Sequence, residues 1–276
     1  MPDPDLITST ANRRVVEARK LRQRKYRRET GLFLLEGIQA LHMALDAGVT
    51  PAEVFYTAAY MSTRGAKALL DDLRTTRATL LPVAPPVMEA LSERDEPQGI
   101  VAVLPIMNPA LGEVTLPRPA LVLVLDRLQD PGNLGTLIRT ADAVGASAVV
   151  LLEPTADPYD PKAVRASMGS LFNLPVITAG EPEEVFAWLN YRGCRVVAAD
   201  ANAGTPWGSD AEWQGRVALV LGNEARGLSA DVIPFVGHNV HLPVRGKADS
   251  LNVATAGGIL MYFWARANLP FDGNPL

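Results

Sequence analysis

Three stretches, each directly after an apolar run, hold the residues best suited to chemistry. Leu125–Ala146 reads LDRLQDPGNLGTLIRTADAVGA, Val217–Ser229 reads VALVLGNEARGLS, and Val240–Tyr262 reads VHLPVRGKADSLNVATAGGILMY. In the first, a turn with Gly132 and Gly135 enters a helix, as a dinucleotide cradle would. The spacing does not make G-x-G-x-x-G, and no Gly-Lys-Ser/Thr follows, so neither a nicotinamide fingerprint nor a P-loop is present. Along that helix Leu134, Leu137, Ile138, Ala141 and Val144 recur at core spacing and leave Arg139 nearly opposite. A surface arginine is the ordinary outcome at such a position. The small residues Gly135, Thr136 and Ala143 instead leave room for a second molecule on that side.

In the second stretch, glycine at a strand end lets a ligand approach the backbone closely, and Glu224 falls on the exposed turn. In the third, Asp249-Ser250 reads as a helix cap with Asn252 in the first turn, which aims free backbone amides at a ligand. Ala254, Ala256, Gly257 and Gly258 then make a smooth helix face. Tight packing within the chain and a subunit interface both suit that face.

The elements that must position these loops form an α/β pattern in two parts. Before residue 105, short apolar runs at Phe33–Gly37, Glu53–Tyr56, Leu80–Val83 and Gly99–Leu104 alternate with helical stretches. Pro105–Pro119 carries four prolines and reads as a linker. After it, Ala120–Leu125 is an uninterrupted apolar run, as in a strand buried on both faces of a parallel sheet. Further strands are predicted at Ala148–Leu152, Leu174–Ile177, Arg195–Ala199, Val217–Leu221 and His238–Leu242, with helices between them. The expected division is 1–104, a linker at 105–119, and a parallel α/β domain at 120–276. A ligand belongs at the strand ends of such a sheet.

The whole chain of 276 residues has a net charge of −4, which by itself argues against a polyanionic partner. The distribution argues otherwise. Arg13, Arg14, Arg19, Lys20, Arg22, Arg24, Lys25, Arg27 and Arg28 face one acidic residue, Glu17, so this segment carries +8 against −12 elsewhere. With Val15, Ala18 and Leu21 near helical spacing, it reads as one basic helix with a thin apolar stripe. Cations so crowded repel one another, and a polyphosphate would offset that repulsion and release counterions, so RNA or DNA is the expected partner. A membrane surface fits less well, because the stripe lacks Trp or Phe anchors. No secretory leader and no apolar stretch of membrane-spanning length is evident. The lone Cys194 excludes an intramolecular disulfide and a Cys-rich zinc site, which points to a reducing cytoplasm. His42, His238 and His241 have no third ligand near them in sequence, so no metal site is expected.

Taken in order and spacing, N-x-G-x-x-x-R-T-A, G-N-E-x-x-G-L and L-P…S-L-N-V-A-x-A strongly resemble the SpoU–TrmH family of RNA ribose 2′-O-methyltransferases, of the SPOUT class. The resemblance covers Ala120–Ala267 by motif. It extends more loosely to the front half, where a basic lead-in helix and a small ribosomal-protein-like α/β domain ending in PQGIVAV look like a substrate-binding domain for ribosomal RNA. It implies a deep trefoil knot, S-adenosylmethionine as cofactor, and a homodimer with active sites at the subunit interface. Carried over by position, Gly222, Leu242 and Leu251 would line the cofactor pocket. Asn133, Arg139, Glu224, Ser250 and Asn252 match the family's functional polar positions. An arginine is effectively always protonated, so Arg139 is expected to clamp the neighbouring phosphate and orient the hydroxyl rather than take its proton. Two other classes stay in view: a nicotinamide-dependent oxidoreductase, and an RNA-binding assembly protein with a non-catalytic methyltransferase-like domain. The first lacks its fingerprint, and the second would need losses at Arg139, Glu224 and Asn252, all of which are present. The sequence does not identify the target nucleotide.

Overall fold

In the computed structural model, which describes residues 5–200 and 203–269, the basic segment forms two short helices, α1 (Arg13–Lys20) and α2 (Arg24–Thr30). The single basic helix expected from the sequence is not formed. The break has a local cause. Val15, Ala18 and Leu21 are drawn into an apolar core. Arg27 folds back so that its guanidinium donates to the Leu21 and Arg22 carbonyls, both at 2.8 Å. These carbonyls, at the exit of α1, lack helical partners. Arg27 is 1% exposed and lies 3.5 Å from the Asp160 carboxylate, so, against the expectation that it meets a polyanion, it is buried in structural contacts. Arg22 is also drawn inward and donates to the Ala90 and Ser92 carbonyls at 2.9 and 2.6 Å. Arg14 pairs with Glu53, Lys20 with Glu17 and Lys25 with Glu29. Arg13, Arg19, Arg24 and Arg28 remain exposed.

The chain then runs β1 (Leu32–Glu36), α3 (Ile38–Asp46), β2 (Glu53–Tyr56), α4 (Ala58–Met61), α5 (Ala66–Arg74), β3 (Thr79–Pro82), α6 (Pro85–Leu91) and β4 (Ile100–Pro105). The sheet order is β1-β4-β2-β3, with β4 antiparallel to both neighbours and β2 parallel to β3. Gly37, between β1 and α3, has φ +114°, and a Cβ there would lie 2.4 Å from the Gln98 side-chain oxygen. That positive φ, which side-chain-bearing residues rarely adopt, is what favours glycine here.

The second unit begins with the proline-rich segment, which is more than a linker. Val114 and Leu116 are buried in this unit's core, and the Arg216 guanidinium is bonded to the Leu116 and Pro117 carbonyls at 2.8 and 2.9 Å. The chain continues as β5 (Ala120–Asp126), α7 (Pro131–Ala143) and β6 (Ala148–Leu152). Residues Tyr159–Asn173, with α8 (Pro161–Ser167), group with the first unit rather than the second. There Tyr159 stacks obliquely on Phe33 at 4.8 Å and bonds the Met107 backbone. The remaining elements are β7 (Val176–Ala179), α9 (Pro182–Tyr191), β8 (Arg195–Ala199), β9 (Thr205–Pro206), α10 (Asp210–Trp213), β10 (Arg216–Leu221), β11 (His238–His241) and α11 (Val253–Asn268).

These strands form a seven-stranded sheet of order β7-β6-β5-β10-β8-β11-β9, parallel throughout. Every residue of β5 and β6 is buried, as the uninterrupted apolar runs require when helices cover both faces. The three chemistry-bearing stretches leave the C-terminal ends of β5, β10 and β11. No helix among the described residues is long and apolar enough to cross a membrane.

Candidate active site

Local rules place the first polar group. Asp130 caps α7 by accepting from the Asn133 amide at 2.8 Å, and Pro131 supplies the pre-set first helical residue. Asn133 therefore sits in the first turn with its side chain free to reach sideways. Its amide donates to Glu224 at 3.2 Å, and its carbonyl oxygen accepts from the Asn252 amide at 3.0 Å. One residue from each of the three loops is thus joined in a single chain of hydrogen bonds. Asn252 has a second task. Its side-chain oxygen accepts from the Ala254 and Thr255 amides at 2.9 and 3.2 Å, which makes it the cap of α11. The expected cap at Asp249-Ser250 is thereby corrected by two residues: the helix begins only where an acceptor can reach its free amides.

Gly222, Glu224, Leu242, Ser250, Leu251 and Asn252 all line one cleft of about 1330 Å³ at the ends of β10 and β11. Gly222 is required there sterically, since a Cβ would meet the Gly227 carbonyl carbon at 2.4 Å and the Leu228 nitrogen at 2.6 Å. The loop is closed by reciprocal 2.9 Å backbone bonds between Asn223 and Gly227. Val244 and Leu251 offer exposed apolar surface in the cleft. The cleft combines close backbone approach at Gly222, apolar side chains such as Leu242 and Leu251, and the charged residues Asp200, Glu224, Arg226 and Asp249, a mixed lining that suits a polar nucleoside ligand.

Arg139 stands apart. It is exposed on α7, is not part of the cleft wall, and makes no hydrogen bond or ion pair with another described residue. On α11, Ala254 and Gly257 serve the chain's own packing, and a Cβ at Gly257 would lie 2.5 Å from Leu221 and 2.6 Å from Leu137 side chains, whereas Ala256 lines the cleft and Gly258 is only half-buried. The outward face carries Ile259 and Tyr262, both exposed.

Two positioning residues escaped the sequence reading. Asp126 is 1% exposed, and its carboxylate accepts from the Ser229 amide at 2.6 Å and the Ser229 hydroxyl at 3.1 Å. Asn223 donates to the Arg127 carbonyl at 2.9 Å, while its own oxygen accepts from the Ala225 and Arg226 amides. Both tie the β10 loop to the end of β5. A carboxylate ending an otherwise apolar buried strand was the available signal for Asp126. Replacing Asp126 by alanine leaves two Ser229 donors unpaired, which costs about 1–3 kcal/mol. Thermal melting should then show a midpoint lower by roughly 2–10 °C, and an unchanged midpoint would show that the tie bears no load.

The comparisons with known proteins agree with this geometry. Residues 120–262 match the SpoU rRNA Methylase family, and residues 12–102 match the MRM3-like substrate binding domain. The chain is 35% identical to the 23S rRNA (guanosine(2553)-2′-O)-methyltransferase RlmP of Bacillus subtilis, over 93% of this chain and 97% of that one. It is 33% identical to a 23S rRNA (uridine(2479)-2′-O)-methyltransferase of Streptomyces viridochromogenes, over 88% and 85%. Among solved structures, an AdoMet-bound rRNA methyltransferase from Sinorhizobium meliloti superposes with a TM-score of 0.86 at 33% identity, covering 95% and 97%. Three glycine-bearing strand-end loops, joined through Asn133 and matched over more than half its length, show that this chain belongs to the SpoU rRNA methylase family.

Proposed function

We propose that this protein transfers a methyl group from S-adenosylmethionine to the ribose 2′-hydroxyl of a nucleotide in ribosomal RNA. The observation that carries this reading is the hydrogen-bonded junction Glu224–Asn133–Asn252 beside a backbone-lined cleft. The residues present fit the cofactor: the side-chain-free approach at Gly222 and the apolar surface of Leu242 and Leu251 would hold a nucleoside. S-adenosylmethionine, when bound, supplies an electrophilic methyl on a sulfonium.

The protein's share is then mainly positioning. Asn133, Glu224, Ser250 and Asn252 shape the pocket by hydrogen bonding. Arg139 clamps the phosphate next to the reacting ribose and orients its hydroxyl, whose proton leaves to phosphate or water. Arg139 does not line its own cleft, which fits a homodimer in which a second copy brings this arginine to the site. The parallel order β5-β10-β8-β11 supports the trefoil knot that the family resemblance implies. Of the basic segment, Arg13, Arg14, Arg19, Arg24, Lys25 and Arg28 are exposed, which suits contacts with RNA phosphates. An RNA substrate and a free Cys194 suit a reducing cytoplasm.

The test is direct. Purified protein incubated with radiolabelled S-adenosylmethionine and undermethylated ribosomal RNA should yield an alkali-resistant methylated dinucleotide, because a 2′-O-methyl group blocks alkaline cleavage. Label that stays alkali-sensitive, or no transfer at all, would overturn the reading.

A further inference from the structure

The first unit contains a second cavity, of about 190 Å³, distant in sequence from the methyl-transfer loops. Its floor is apolar, with Leu34, Leu91, Val101 and Val164, and its rim is polar, with Gln39, Gln98, Arg94 and Arg165. The carboxylates at the cavity are already compensated. Glu36 accepts from the Ser92 hydroxyl and the Gln98 amide, and lies 3.7 Å from Arg94. Glu93 lies 3.5 Å from Arg22. Arg165 is exposed and its guanidinium has no hydrogen bond or ion pair with another described residue, so it is the uncompensated cation of the cavity.

Beside Arg165, Met168 is 45% exposed and held in the left-handed region at φ +53°. Met168 is the left-handed residue that ends α8, a position glycine usually takes, and its side chain stays half exposed at the cavity. On the opposite wall the Gln98 side-chain oxygen lies close over Gly37. Apolar surface for a planar face, amide groups for its edge and a free guanidinium at the mouth match one unstacked base and its phosphate. The cavity is smaller than the roughly 300–1,000 Å³ of sites for drug-sized molecules.

We propose that this cavity takes a single unpaired nucleotide of the substrate RNA, with Arg165 on its phosphate and Met168 against its base. Arg165 and Met168 lie outside residues 12–102, the stretch matched to a substrate-binding domain. The RNA-reading unit is therefore completed by a segment of the methylase half of the sequence. The proposal rests on the RNA methyltransferase reading for its choice of ligand.

Two variants and one mapping experiment test it. Arg165→Glu should weaken binding of 23S ribosomal RNA about tenfold or more, and lower the slope of log affinity against log salt by about 1. In steady state the loss should appear in KM, with kcat little changed. Met168→Gly removes the left-handed strain, so its melting temperature should hold or rise while RNA binding falls. A merely structural role predicts the two moving together. Photo-cross-linking to ribosomal RNA carrying 4-thiouridine should mark peptides containing Gln39 or Met168. RNA affinity within twofold of wild type for both variants, or cross-links confined to residues 13–30, would overturn the cavity while leaving the methyltransferase reading intact. Binding and cross-linking as expected without methyl transfer by the wild type would defeat the methyltransferase reading alone.

Discussion

Arg139→Ala should lower the single-turnover rate of RNA methylation by roughly 10²–10³-fold, the usual loss when one preorganised donor to the reacting centre is removed. Affinity for S-adenosylmethionine should stay within about twofold, because Arg139 does not line the cleft proposed to hold the cofactor. The size of the effect follows from what the reaction lacks. The methyl donor is already activated, so the rate depends on holding the hydroxyl in line and on charge near the departing proton. A guanidinium holds a phosphate through a planar fork, whereas an ammonium is a point charge. Arg139→Lys should therefore keep the charge yet lose much of the rate. A lysine variant with full single-turnover rate would refute the geometric clamp. Mixing Arg139→Ala protein with a cofactor-cleft variant should restore partial activity if the arginine acts across a dimer, since mixed dimers then contain one intact site. Failure to restore any activity would place Arg139 and the cleft in the same subunit's site.

The second large effect is expected at Gly222. Gly222→Ala should lower S-adenosylmethionine affinity by roughly tenfold or more, at least about 1.4 kcal/mol, as read by calorimetry. The added methyl would sit 2.4–2.6 Å from the backbone of Gly227 and Leu228. Backbone cannot yield as a side-chain tip can, so the whole turn must open and its amides leave the cleft. Gly227 provides the contrast. It has φ +67° and nothing within 4 Å of a Cβ, so Gly227→Ala should cost only the left-handed strain, about 1–2 kcal/mol of stability, with a smaller loss of binding. If Gly222→Ala binds cofactor like wild type, the loop is not the seat of the cofactor.

Much of this architecture is legible in the sequence. Two strands, Glu53–Tyr56 and Ala148–Leu152, fall where the apolar runs placed them, because short buried strands need unbroken β-forming sequence between turns. Asp130-Pro131 marked the start of α7, since capping is a local interaction within three residues. The basic segment went differently. Its apolar spacing is helical almost throughout, but Arg27 contributes more by capping the α1 exit and meeting Asp160 than by extending a helix. Asp160 is more than a hundred residues away, so no local pattern could announce that pairing. The cap of α11 likewise depended on which of Asp249, Ser250 and Asn252 had an oxygen within reach of the first amides.

The family-wide motif residues, their order, and the presence of a cation-rich segment in a net acidic chain are properties of the sequence alone, because they depend on residue type and spacing. Tertiary structure decided which of those residues work together. It joined Asn133, Glu224 and Asn252, set Arg139 outside the cleft that Glu224 and Asn252 line, turned Gly257 inward against Leu137 and Leu221, and withdrew Arg27 from the solvent. It also exposed the burial of Asp126, which holds the β10 loop to the end of β5. The physical reason is common to all of these. Hydrogen bonds, steric contacts and desolvation act over a few ångströms, and only the folded chain brings residues a hundred positions apart within that range.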